Sequence, residues 1–270
     1  MYLIEFETLS GMAEFFLILG WMIFLLNLYG VSRRLEPACI KTEHLHFVVK
    51  GSRPSYRESL RQAVRIEGES DVILASRLNL LVARRLVHIQ WLLCPPALYH
   101  QRVPVWENFF LWFIGISERW PQFHRYHFTN WKRSLRRGIG VCGDKSMTLV
   151  QLLERNGINA VILSNAQHVI VGAELGDDYI CFDPDYGVEF SVRPHEILAN
   201  WTDISQRYDQ AGADRNNIMD LADIYTLPFT TWRGVAHFAT NRFRAEALFY
   251  LLKWVFPALL ICGSLLLLSL

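Results

Sequence analysis

The sequence predicts an α+β domain held between two membrane-spanning helices. Three observations predict it. Apolar residues make up 51% of the 270-residue chain and concentrate in two terminal runs, Phe15 to Leu28 and Ala247 to Leu270, and about 20 apolar residues cross a hydrocarbon core as a helix. From Cys142 onward a segment of helical period gives way to short runs of strand type. The five cysteines at 39, 94, 142, 181 and 262 form no CxxC pair and no metal-ligand spacing, so free thiols in a reducing compartment are expected.

In chain order, residues 12–32 read as an uncleaved anchor. Glu5, Glu7 and Glu14 precede the apolar run and Arg33 and Arg34 follow it, the reverse of a secretory leader. Residues 33–130 read as mainly helical. "SYRESLRQAVR" sets Tyr56, Leu60, Ala63 and Val64 on one face and Arg57, Arg61 and Arg65 on another; the basic face is expected to be solvated or to rest on anionic headgroups. "DVILASRLNLLVARRLVHIQWLL", residues 71–93, carries Arg77, Arg84, Arg85 and His88 within apolar surroundings, which predicts a core helix closed by Cys94-Pro95-Pro96. The aromatic stretch from Val105 to Trp120 is too short to cross a bilayer and predicts a core or interfacial helix.

Residues 131–200 predict the functional core. "GDKSMTLVQLLERNG" places Met147, Val150 and Leu153 at helical spacing and stops at Asn156-Gly157. Extended runs follow at Ile158–Ser164, His168–Leu175, Tyr179–Asp183 and Val188–Val192, with Gly176-Asp177-Asp178 closing a hairpin. Residues 201–246 read as a loop and return segment, most polar at 206–217. Residues 247–270 form the second span, in which Lys253 either snorkels or precedes a span starting near Val255, and Pro257 takes an early helical position or a kink.

Two spans put both termini on one side. Arg33, Arg34, Lys41, Arg233, Arg242 and Arg244 flank the intervening domain and assign it to the cytoplasm. A net charge of +1 leaves the chain as a whole without the basic balance of a nucleic-acid binder.

A thiol enzyme needs a thiolate, an imidazole to move a proton, and a group that holds the imidazole in one tautomer. Cys142 stands where a helix amino terminus favours negative sulfur. If Gly176-Asp177 is a two-residue loop, Leu175 opposes Asp178 and Ile170 opposes Asp183, which makes His168 and Asp183 diagonal neighbours on one face. Val169, Val171, Ala173, Ile180 and Phe182 take the other face. Cys181 shares the Asp183 face but lacks a helix terminus, and the His124/His127 pair has two-ligand spacing that a packed aromatic segment explains better than a metal.

These residues also resemble the transglutaminase-like superfamily of papain-type folds. "GVCGDKSMTLVQLLERNGINAVIL" is similar to its GVC motif, helix and strand, "HVIVGAEL" to its histidine strand, and "FDPDYG" to its DP-x-x-G motif. The resemblance extends over about 55 residues and implies Cys142 as nucleophile, His168 as general base and acid, and Asp183 as orienting carboxylate. Val169-Ile170 stands where the family often has Ala-Trp, and Gly143-Asp144 where Arg-Asp is common. Activity on a peptide or protein carbonyl through a thioester is then expected, with no cofactor. The Cys142 N–H is the first expected oxyanion donor, and Trp131 or a nearby polar side chain the second. The competing expectation is a binding or assembly subunit using its terminal helices and aromatic segment on membrane lipids and a membrane-protein partner.

Overall fold

The structure is a computed structural model that describes residues 2–117 and 119–269, with side chains described from Ser10 onward. Met1, Glu118, Leu270 and the side chains of the acidic flank Glu5 and Glu7 lie outside the described residues. The helices are α1 (Tyr2–Ser32), α2 (Tyr56–Gln62), α3 (Asp71–Arg85), α4 (Phe109–Ile116), α5 (Pro121–His124), α6 (Trp131–Arg137), α7 (Cys142–Arg155), α8 (Trp201–Ala211), α9 (Arg215–Ile224), α10 (Val235–Phe238) and α11 (Thr240–Leu268). The strands are β1 (Leu45–Phe47), β2 (Val87–Ile89), β3 (Ile139–Gly140), β4 (Ala160–Ser164), β5 (Val169–Leu175), β6 (Asp178–Asp183), β7 (Val188–Phe190) and β8 (Thr230–Trp232). The chain is α+β and divides into two compact units.

One unit gathers residues 1–35, 100–126 and 244–270. Ser10–Ser32 and Thr240–Leu268 have mean hydropathies of 2.0 and 2.1 and are long and apolar enough to cross a membrane. Gly20 lets α1 approach α11 closely, since a Cβ there would lie 2.9 Å from the Ile261 side chain. Asn27 donates to the Lys253 carbonyl. Lys253 is buried, its ammonium donating to the Glu107 carbonyl and lying over the rings of Tyr250 and Trp254. Its charge therefore finds partners inside the unit. The short aromatic helix α4 belongs here too, Phe110 meeting Phe249 at 6.0 Å and Phe256 at 5.7 Å.

The second unit spans residues 36–99 and 127–243. Its main sheet runs β7-β6-β5-β4-β8, antiparallel throughout, beside a small β1-β2-β3 sheet. The hairpin has the expected register, with Leu175 opposite Asp178 and Val171 opposite Phe182. The two faces separate as alternation demands. Val171, Ala173, Ile180 and Phe182 pack on Leu149, Leu152 and Leu153 of α7 and on Leu74 and Leu78 of α3. Leu163, Ile170, Cys181 and Phe190 pack on Ile204, Tyr208, Leu221 and Tyr225 of α8 and α9. The helix α7 ends as expected at Asn156, with Gly157 at φ +83°.

Three expectations are corrected. The 71–93 helix ends at Arg85, because residues 87–89 leave it as β2, in which Val87 and His88 pair with Ile139 and Gly140 of β3. The expected loop at 206–217 is instead most of α8 and the start of α9, broken by Gly212 at φ +96° and restarted by Asp214, whose carboxylate accepts from the Asn217 N–H at 2.8 Å. Its polar residues are the outer faces of two amphipathic helices whose inner faces cover the sheet. Val64 is exposed because α2 stops at Gln62, and Arg65 is tied to Asp71 and to the Asn156 carbonyl instead of extending a basic face.

Candidate active site

The site forms where α7 begins, β5 begins and β6 ends. The strand β3 leads into Val141, the amino cap of α7, and Cys142 is the first helical residue. Asp144 closes this turn by accepting the Val141 N–H at 3.1 Å. Gly140 is required there, since a Cβ would come within 2.7 Å of the Asp144 Cβ. Burial alone would raise the Asp144 pKa, but the charges of His127 and Arg137 and the Val141 N–H bring it below the ordinary carboxylate value. The turn that carries the thiol is thus anchored by a charged carboxylate on the side of α7 away from Cys142.

His168 is positioned by a turn that the side chain of Asn165 organises. Asn165 Oδ1 accepts the N–H groups of Gln167 and His168 at 3.0 and 2.8 Å, while its Nδ2 donates to the Ile224 carbonyl at 2.9 Å. The His168 ring is buried, with Nε2 2.8 Å from Asp183 Oδ2. Cys142 lies near enough to this ring to help raise its pKa. Nε2 is committed to the carboxylate, so Nδ1 is the nitrogen left for sulfur. Burial by itself would lower the imidazole pKa; the Asp183 charge and hydrogen bond, together with Cys142, outweigh it and raise the pKa well above the ordinary value.

Asp183 is fully buried and holds a second donor, the Tyr208 hydroxyl at 2.8 Å, which is in turn 2.7 Å from the Tyr225 hydroxyl. Burial and the Asp183 charge push the Tyr208 pKa well up, so the phenol stays protonated and able to donate. Asp183 Oδ1 accepts the Asp185 N–H at 2.9 Å. On α7, Ser146 ties the helix to β5 by donating to the Val169 carbonyl at 2.8 Å.

The structure therefore brings Cys142, His168 and Asp183 together. It does not bring Trp131 to them: that ring packs with Leu149, Leu152 and Leu153 and lies under Arg155, toward the far end of α7. Cys181 is buried against the Val192 carbonyl, and burial pushes its thiol up to about 12. His124 and His127 fall in different units, one ring facing the Gly115 carbonyl and the other Asp144. Among the described residues no cluster of three His, Cys, Asp or Glu side chains is arranged to hold a metal ion.

Sequence reasoning missed Asn165, Tyr208 and Tyr225. A signal existed for the tyrosines: Trp201, Ile204 and Tyr208, like Ile218, Leu221 and Tyr225, recur at helical spacing. Comparison with known protein families, with curated proteins and with solved structures finds no match for this chain.

Proposed function

We propose that the protein is a membrane-anchored thiol enzyme with a transglutaminase-like core, cleaving or transferring a peptide or protein acyl group through a Cys142 thioester. The observation that carries this reading is the thiol–imidazole–carboxylate line at the start of a helix, with Asp183 buried and held by a tyrosine hydroxyl. Sulfur attacks the carbonyl carbon and forms the C–S bond, and His168 passes its proton to the departing amine. The Cys142 N–H, unpaired within the helix at its first position, faces the developing oxyanion. Water or an amine then resolves the thioester. Basic residues flanking the apolar runs favour a cytoplasmic position for the catalytic unit.

Iodoacetamide at about pH 6 tests the thiol, because there ordinary thiols are almost wholly protonated. Cys142 is expected to react much faster than the exposed Cys39, and His168→Ala to remove the difference. Equal rates for the two cysteines would leave the site as a packing arrangement in a binding or assembly subunit.

A further inference from the structure

A second imidazole–carboxylate pair adjoins the first. His88 lies on β2, which runs parallel to β3 with His88 opposite Gly140, two residues before Cys142. Its Nδ1 lies 2.8 and 2.7 Å from the two Asp185 oxygens. Asp185 follows Asp183 by two residues and is tied to it through the 2.9 Å backbone bond. Lys145, on α7 and on a face adjacent to that of Cys142, lies 2.9 Å from Asp185 Oδ1 and donates to the Asp185 carbonyl at 3.0 Å. Asp185 and Lys145 are buried, whereas the His88 side chain keeps 14% of its surface exposed.

The nitrogen assignment follows from the contacts. An ionised carboxylate only accepts, so Nδ1 of His88 carries a hydrogen, and Nε2 is the ring nitrogen left to meet an incoming nucleophile. His168 turns the opposite nitrogen to its aspartate. The two rings are thereby assigned different tasks: one pairs with sulfur, and the other presents a base.

We propose that His88 is the general base for the nucleophile that resolves the Cys142 thioester. The assignment rests on the thiol reading above. As water attacks the thioester carbonyl, an O–C bond forms and the water's proton passes to His88 Nε2. Collapse breaks the C–S bond, and sulfur leaves with its electron pair as thiolate. The carboxylic acid product gives its proton to His168, restoring the imidazolium, and His88 releases its own proton to solvent.

The test uses the full chain in detergent micelles and p-nitrophenyl acetate as acyl donor. Mass spectrometry follows the appearance of acetyl-Cys142 and, after removal of the ester, its disappearance. His88→Asn is expected to leave formation unchanged and slow disappearance about a hundredfold, with Asp185→Asn slowing the same step. Iodoacetamide labelling of Cys142 in His88→Asn, still dependent on His168, shows that the site is intact. Unchanged disappearance overturns the proposal. Loss of formation, disappearance and labelling together also overturns it, because His88 would then be a structural support. If wild-type protein never acquires acetyl-Cys142, the thiol reading falls and this one with it.

Discussion

Tyr208 and Asp183 show how much of the candidate site depends on single hydrogen bonds. The Asp183 carboxylate is buried, and two side chains share one of its oxygens, the His168 ring and the Tyr208 hydroxyl. Tyr208→Phe removes the hydroxyl with little change of shape, so the expected loss is that of one bond to a charged group, about 1.5–3 kcal/mol, measured by urea unfolding. A loss below a few tenths would mean that solvent replaces the hydroxyl. Titration supplies a second prediction. The His168 pKa is raised in the native state, so its stabilisation is complete below the ordinary imidazole value and disappears as pH rises through the native one. Asp185 is shifted the other way: burial opposes its ionisation, but His88 and Lys145 prevail and hold it well below the ordinary value. Its contribution is present above the ordinary carboxylate value and is lost as pH falls through the depressed one. Unfolding free energy plotted against pH is therefore expected to fall at both ends, and Asp185→Asn to flatten the acid limb alone. An acid limb unchanged in that variant would count against a charged Asp185.

At the scale of elements, α7 and the β5–β6 hairpin were legible from residues alone, since their signals are local. A single helical stripe, an Asn-Gly stop and a Gly-Asp turn set them, and the pairing of Leu175 with Asp178 then decides which side chains share a face. The layer formed by α8 and α9 does not show in the local pattern, because its outer residues are polar and Gly212 interrupts it. Ile204 is buried against the sheet, so Ile204→Ala is expected to cost about 2–5 kcal/mol, the range of a core truncation. A loss near zero in thermal or urea melts would restore the loop reading. The strands β2 and β3 are equally hidden: three residues and two residues are too short for any periodicity, and they form only because partners from elsewhere in the chain lie beside them, β1 and β3 for β2 and β2 for β3.

At the scale of the whole molecule, the two apolar helices and the α+β unit belong to separate compact bodies. The basic flanks around the apolar runs lead to a topological prediction. A membrane-impermeant maleimide added to intact cells is expected to leave Cys142 unlabelled and to label it after permeabilisation; labelling of intact cells would place the α+β unit outside the cytoplasm.

What the residues determined by themselves were the features that depend on neighbours in sequence: two runs long enough for a bilayer, one amphipathic helix opened by Cys142, and a hairpin whose register makes His168 and Asp183 neighbours. Tertiary structure alone decided the partners that arrive from distant segments. Tyr208 reaches Asp183 across 25 positions, Lys145 reaches Asp185 across 40, and His88 reaches it across 97. No local pattern encodes such meetings, because burial, not spacing, forces each buried polar group to find whatever donor or acceptor the packed layers bring near.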